Sequence, residues 1–275
     1  LIIEKIIKHR VLPQLEKFHI RLFLKLPYIN RRLRASIRNK ITNAFGGRFK
    51  LIAIGGATLN FEVEKFLTSV KFPYTVGYGM TECGPGISFD DWHTFKPGSC
   101  GKAIDRMEIA INSSDPENIV GEILVRGANL MNGYYKNPEA TRAAIDQEGW
   151  LHTGDLGIID SEGYLFIKGR SKNMILGPSG QNIYPEEIED RINALPYVSE
   201  SLVIEHDGKL VALVYPDYEQ AKKDKITGEN MKKIMEDNRK LANTMLPTYS
   251  QIARLKIQEN EFEKTPKRSI KRYLY

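Results

Sequence analysis

Apolar positions recur along the chain with two different periods, and the changes of period mark its elements. Over residues 1–45, Leu12, Leu15, Phe18, Leu22 and Leu26 keep a three-to-four spacing that predicts helix. Pro13 and Pro27 break or kink that pattern, and Phe45-Gly46-Gly47 ends it. A short β-pattern over 49–54 then feeds Gly55-Gly56-Ala57-Thr58, where small residues let backbone approach a flat ligand or a neighbouring strand. Asn60 is a fair N-cap for a helix with Val63, Phe66, Leu67 and Val70 on one face, and another strand is expected from Tyr74. Strand, helix and strand in that order form an α/β unit.

Further on the period shortens. Between residues 98 and 167, β-patterned pieces at 107–111, 121–125, 156–159 and 164–167 alternate with turns and predict a small barrel-like sheet. Asp160-Ser161-Glu162-Gly163 has hairpin-turn chemistry. After Lys172 the pattern becomes a compact α+β module. Pro185 opens a helix with Glu186 and Glu187 in its first turn and Ile188, Ile192 and Leu195 on one face. Strands at 202–205 and 209–215 form a hairpin across His206-Asp207-Gly208. A helix with Met231, Ile234 and Leu241 facing inward is stopped by Pro247, and 251–258 is a last strand. The predicted class is α/β plus α+β, with domains at 1–171 and 172–275.

Composition narrows the reading only slightly. A chain of 275 residues with 41% hydrophobic and 27% charged residues has room for about two ordinary globular domains. The net charge of +6 is unevenly placed. Lys5, Lys8, Arg10, Lys17, Arg21, Lys25, Arg31, Arg32, Arg34, Arg38 and Lys40 crowd the opening segment against Glu4 and Glu16 alone. A peripheral contact with an anionic membrane surface is one reading of that run, and a solvated helix face is the other. Nucleic acid is not expected as a partner. Cys83 and Cys100 have neither zinc-type spacing nor the numbers of a disulfide framework, which points to a reducing cytoplasm. No apolar run is long enough to span a bilayer. The first residue is Leu rather than Met, so a piece of a longer protein is expected.

Two stretches carry chemistry. In Val76-Gly77-Tyr78-Gly79-Met80-Thr81-Glu82, glycines beside Tyr78 let backbone and ring sandwich a base. Thr81 offers a hydroxyl to a phosphate there, and Glu82 a hard oxygen ligand to magnesium. A plain strand-end turn is the alternative. In residues 150–189, Asp155 follows a Thr153-Gly154 turn, where a carboxylate can accept two hydrogen bonds from a ribose. Arg170 comes fifteen residues later, and the hairpin between them returns it towards Asp155. Met131-Asn132-Gly133-Tyr134-Tyr135 with Asn137-Pro138-Glu139-Ala140-Thr141 reads as a loop entering a helix, its aromatics assigned to packing.

The order of these blocks resembles the acyl-adenylate-forming superfamily of acyl-CoA synthetases, luciferases and peptide-synthetase adenylation domains. G-Y-G-M-T-E, preceded by F-G-G-R-F-K-L-I-A-I-G-G-A-T-L-N, is most similar to the long-chain fatty acid–CoA ligases. The resemblance covers essentially the whole chain and places it in the C-terminal half of such an enzyme. It implies ATP, Mg2+ and coenzyme A, a fatty acid or other carboxylate as substrate, and a reaction through an acyl-adenylate to a thioester. An enzyme that loads a carrier protein, or a non-catalytic nucleotide-binding module, is the alternative.

What the resemblance implies for residues is specific. It sets Gly56 and Ala57 against the adenine, Tyr78 on its face between Gly77 and Gly79, and Thr81 at the phosphate. Glu82 falls at magnesium, Asp155 at the ribose hydroxyls and Arg170 near ribose and phosphate. Lys172 matches the hinge, and Gly180 the glycine that lets the thiol's tether pass, although Gly177-Pro178-Ser179 carries one extra residue there. The terminal lysine loop is matched by residues 264–272 with Ser269 where the adenylating lysine belongs, leaving Lys267 or Lys271 as its substitute. The family's phosphate loop has no counterpart in the sequence, so the isolated chain is expected to turn over slowly, if at all.

Overall fold

The computed structural model describes residues 27–56, 59–266 and 269–275; the helical pattern ahead of Pro27, Ala57 and Lys267 lie outside the described residues. The chain divides into two compact units, one ending at Ile167 and the other running Lys168–Tyr275.

In the first unit, Pro27 takes up the opening position of helix α1 (Pro27–Ala44), where its missing N–H costs nothing. Ile37 and Ile41 of α1 are buried with Leu33 packed beside them. Strand β1 (Ile52–Ile54), helix α2 (Phe61–Ser69) and strand β2 (Tyr74–Val76) follow, with β1 and β2 parallel and Ile52 opposite Tyr74. This is the expected α/β unit. Asn60 caps α2 by accepting the Val63 N–H at 3.3 Å. Val63 and Leu67 are fully buried, each worth about 1.5–3 kcal/mol of hydrophobic stabilisation.

Two antiparallel sheets complete this unit. One holds β3 (Tyr78–Gly79), β4 (Gly86–Phe89) and β5 (Lys102–Ala103) in that order. The other runs β6 (Met107–Asn112), β7 (Gly121–Gly127), β8 (Leu151–Ile159) and β9 (Leu165–Arg170), its last three residues counted with the second unit. Helix α3 (Pro138–Ala144) lies between β7 and β8 in the chain. The barrel-like expectation fails here, because both sheets are open. Closure needs the outermost strands to pair with a consistent stagger, and β6 and β9 stand at opposite edges of their sheet. The strand around Asp155 is also longer than expected. It begins at Leu151, so Thr153 and Gly154 lie inside β8 rather than in a turn before it.

The second unit contains a short hairpin, β10 (Ile175–Leu176) with β11 (Asn182–Ile183), then helix α4 (Pro185–Asn193). Its sheet is β12 (Val198–His206), β13 (Lys209–Pro216) and β14 (Ile252–Ile257), with β12 antiparallel and β14 parallel to β13. Asp207 and Gly208 turn the hairpin with φ of 53° and 70°, the left-handed pair that a tight hairpin requires. Helices α5 (Tyr218–Lys223) and α6 (Gly228–Thr244) lie between β13 and β14 in the chain. The predicted inward face of α6 needs correction, since Leu241 is 48% exposed. The buried stripe is Met231, Met235, Asn238 and Ala242. Asn238 can sit inside because its amide donates to the Pro196 carbonyl at 2.8 Å.

The C-terminal segment is tied down by a buried ion pair. Arg272 Nη1 reaches both carboxylate oxygens of Glu189 at 2.8 Å, and Nη2 donates to the Val203 carbonyl at 3.0 Å. The Val203 N–H in turn donates to Glu189 at 2.6 Å. Burial pushes the Glu189 carboxyl above its ordinary range, and the Arg272 guanidinium pulls it back. Removing the cation leaves a buried carboxylate uncompensated. Arg272→Ala should therefore lower the unfolding free energy by about 3–5 kcal/mol in urea melts. A carboxyl with a raised folded-state pKa binds more protons when folded, so the deficit should shrink as pH falls. An equal deficit at about pH 8 and about pH 5 would contradict this account.

Candidate functional site

Asp155 is presented by an irregularity in β8. Glu122 pairs with Leu156 and Leu124 with His152, so Thr153, Gly154 and Asp155 all stand opposite Ile123 alone. The strand must bulge by two residues. Gly154 accommodates this with φ of 69°. Thr153 Oγ1 donates to the Ile123 carbonyl at 2.7 Å and accepts the Asp155 N–H at 3.1 Å. On β7, Glu122 accepts the Gly154 N–H at 3.0 Å with one oxygen and meets His152 Nδ1 at 2.9 Å with the other.

The bulge brings two distant blocks of sequence together. The Tyr78 hydroxyl donates to Asp155 Oδ2 at 2.7 Å, and Asp155 as a residue is buried, 8% exposed. Tyr78 stands on β3 between two glycines whose need is steric. A Cβ at Gly79 would fall 2.0 Å from the Pro85 carbonyl oxygen, and one at Gly77 would fall 3.0 Å from that of Ser88. The close approach these glycines permit is to β4 and its leading turn. Gly56, with φ of 78°, stands in open space at the end of β1.

Thr81 and Glu82 open a single 3-10 turn, Thr81–Cys83, one residue after β3. Thr81 is exposed and Glu82 half-buried. The Met131 N–H donates to the Glu82 carbonyl at 2.8 Å, and the Tyr134 hydroxyl donates to Glu82 Oε1 at 3.0 Å. Tyr134, expected only to pack, is thus a polar partner of the candidate metal ligand. Nothing in the periodicity marks a contact made across 52 residues. Partial burial, and then the Glu82 charge, raise the Tyr134 phenol's pKa. Among the described residues the second Glu82 oxygen has no hydrogen bond, and no group of three metal-binding side chains occurs. One carboxylate completed by substrate phosphates is an ordinary donor set for magnesium, so Glu82 fits that ion.

The remaining candidates belong to the second unit. Arg170 closes β9 and is exposed, and Lys172 is exposed in the 3-10 turn Ser171–Asn173. Gly180 lies in the loop joining β10 to β11 with φ of 82°, its N–H donating to the Gly177 carbonyl at 2.9 Å. A Cβ there would meet nothing. The hairpin borders a cleft of about 560 Å³ lined by Leu176, Pro178, Ile183, Glu205, Lys209 and Tyr249 among others. Of the tail cations, Lys264 pairs with Glu200 at 2.7 Å and Lys271 with Glu263 at 3.1 Å.

Comparison with known proteins adds an independent line. The sequence profile of AMP-binding enzymes matches residues 3–135, and that of the AMP-binding enzyme C-terminal domain matches residues 172–274. The chain belongs to the AMP-binding enzyme family. Within this family of adenylate-forming acyl- and aryl-CoA ligases, the chain is 33% identical over 168 residues to long-chain-fatty-acid–CoA ligase FadD15 of Mycobacterium bovis, covering 61% of the chain and 27% of that protein. It is 38% identical over 168 residues to 4-coumarate–CoA ligase 1 of Petroselinum crispum, covering 56% and 30%. O-succinylbenzoate coenzyme A synthetase (MenE) from Bacillus subtilis, solved in complex with ATP and magnesium ion, superposes with a TM-score of 0.68 at 26% identity, over 85% of the chain and 49% of that structure. The chain thus spans under a third of these two curated relatives and about half of the solved one.

The glycine geometry yields a stability test for the block around Tyr78. Gly79→Ala should destabilise by about 1–3 kcal/mol or more, because the obstacle is backbone and cannot rotate away. Gly228→Ala, at the start of α6 with open space around its Cβ, should be neutral or mildly stabilising. Equal unfolding midpoints for the two variants would refute the steric reading of Gly79.

Proposed function

We propose that the chain forms part of an ATP-dependent, AMP-forming acyl-CoA ligase whose substrate is a long-chain fatty acid. The observation that carries the reading is the Tyr78–Asp155 hydrogen bond, which joins the base-facing block to the ribose-facing block. In this reading a carboxylate oxygen of the acid attacks the α-phosphorus of ATP, the α–β anhydride bond breaks, and pyrophosphate leaves. The thiol of coenzyme A then adds to the acyl carbonyl carbon, its proton passes to solvent, and AMP departs with the bonding electron pair.

The roles of the chain's own residues follow from their chemistry. Tyr78 lies against the adenine, with Gly56 and Ala57 at its edge and Gly77 and Gly79 keeping β3 close to β4. An ionised carboxylate offers about four lone-pair positions, so Asp155 can keep the Tyr78 hydroxyl and still accept two ribose hydroxyls. Thr81 donates to a phosphate oxygen, and Arg170 meets ribose and phosphate. Magnesium, when held at Glu82, neutralises charge on the phosphates.

Lys172 serves as the hinge between domains 1–171 and 172–275, supported by its exposed place in a 3-10 turn and by a C-terminal profile that begins there. Gly180 leaves room for the thiol's tether, supported by the open space at its α-carbon. Lys267 is assigned as the adenylating cation in preference to Lys271, which is already held by Glu263 at 3.1 Å. A cytoplasmic protein with peripheral membrane contact is the matching setting. No helix among the described residues is long and apolar enough to cross a membrane, and α1 carries Arg31, Arg32, Arg34, Arg38 and Lys40 with no acid.

The two kinds of curated relative support different acids, so the test uses two ligands. In calorimetric titration the chain should bind a non-hydrolysable oleoyl-adenylate analogue more tightly than its coumaroyl counterpart. Asp155→Ala should weaken both by about tenfold to a hundredfold, the scale of one charged hydrogen bond. Preference for the coumaroyl analogue would move the substrate to the aryl acids. Undiminished binding by Asp155→Ala would sink the nucleotide site itself.

A further inference from the structure

We infer that Tyr134 is a positioning residue for Glu82: its hydroxyl fixes one carboxylate oxygen and so presents the other to the metal that accompanies the nucleotide. The inference rests on the nucleotide-binding reading above and adds to it a residue outside both sequence blocks.

Several features of the 131–141 segment serve this single contact. The Tyr134 N–H donates to Thr141 Oγ1 at 2.9 Å, and that hydroxyl donates onward to the Asn137 carbonyl at 2.9 Å. Asn137 caps α3 by accepting the Ala140 N–H at 3.0 Å. The backbone of Tyr134 is therefore seated on the first turn of a helix. Gly133 makes that seat accessible: its φ is 140°, and a Cβ there would lie 2.8 Å from Thr141 Cγ2. From this seat the phenol reaches Glu82 Oε1 at 3.0 Å. Below it, the Met131 N–H holds the Glu82 carbonyl at 2.8 Å, so backbone and side chain of Glu82 are both tied to one loop.

Packing alone does not explain Tyr134. The residue is 39% exposed, so little of its ring needs this site for burial. A glutamate on a surface turn samples many rotamers and must give them up when it binds a cation. A hydrogen bond that is already made removes part of that loss beforehand. Partners of this kind typically change metal affinity by 10- to 100-fold.

The test reads binding rather than turnover. The 275-residue chain is titrated calorimetrically with a non-hydrolysable ATP analogue, once with saturating Mg2+ and once with a chelator. The parent should bind more tightly with Mg2+, and Glu82→Gln should lose that enhancement. Tyr134→Phe, which keeps the ring, should lower the enhancement about tenfold while leaving the chelator affinity unchanged. Thr141→Val should act in the same direction. Thermal melts check that each variant is folded, and Tyr134→Phe supplies the decision should Thr141→Val unfold. Full enhancement in Tyr134→Phe overturns the inference. A parent that binds equally with and without Mg2+ overturns it too, while leaving the nucleotide site standing. A parent that binds no nucleotide at all removes the underlying reading and this inference together.

Discussion

The site's acid sits in a two-residue bulge of β8, and the rest of the site depends on that bulge being held. A regular strand alternates its side chains between faces, so Asp155 in unbroken register with β7 would share the orientation of Thr153 and Gly157. Placing three residues opposite Ile123 lifts this stretch out of the pairing with β7, while Thr153, Asp155 and Gly157 all remain buried. Such a distortion has to be held, because a bulge gives up ladder hydrogen bonds and leaves polar backbone to be satisfied otherwise. Glu122 and Thr153 do this from the two strands, one taking the Gly154 N–H and the other the Asp155 N–H. His152 closes the arrangement against the second Glu122 oxygen. The Tyr78–Asp155 contact depends on all of these, and the 3-10 turn at Thr81 starts three residues beyond Tyr78.

The two compact units keep their polar interiors by different means. In the first, Glu64 of α2 accepts the Gly98 N–H at 3.0 Å, and the Tyr164 hydroxyl donates to the Thr94 carbonyl at 2.9 Å. Burial raises the Glu64 carboxyl above its usual range, against which the Gly98 N–H works. Short strands and long connections there are stitched by side chains reaching across many residues. The second unit relies on a longer three-stranded sheet with α4 and α6 packed on it, and on one core containing Ile188, Ile192, Val203, Val214, Met235 and Ile252. Among the described residues its one deeply buried charge, Glu189, is met by Arg272. Removing part of the tail would therefore expose a core carboxylate to an unmet desolvation cost.

The elements that were legible in the sequence are those whose signals are local. Asn60 before an apolar face, Pro185 at a helix start and Asp207-Gly208 between two apolar runs each state their own geometry within a few residues. The misses share the opposite property. Gly154 after Thr153 looks like a turn until the register of β7 is known, and only then is it a bulge within a strand. Leu241 was expected inside and is exposed, while Asn238 is buried with its amide donating to the Pro196 carbonyl. A row of short strands reads equally well as a barrel or as two open sheets, since closure is a property of strand pairing that no single strand records. Tyr78 and Asp155 could each be singled out, but their direct contact across 77 residues, like that of Tyr134 with Glu82, belongs to tertiary structure.

Charge in the tail illustrates how composition and site chemistry part company. Residues 264–272 read as a basic run of the kind that meets phosphate. In the folded chain Lys264 lies 2.7 Å from Glu200, Lys271 lies 3.1 Å from Glu263, and Arg272 chelates Glu189. The Arg272 and Lys264 pairs are shielded, so salt weakens them less than the Lys271 pair, whose Glu263 is exposed. Their charge is answered within their own unit and contributes little field beyond it. Thr265 and Ser269 close the intervening loop, with the Thr265 N–H donating to the Ser269 carbonyl at 2.9 Å. A serine at that end has no cation to offer a phosphate, whereas Lys267 lies within the loop in sequence. Among the described residues, the positive charge of this segment that is not met by a carboxylate is thus narrower than the basic count implies.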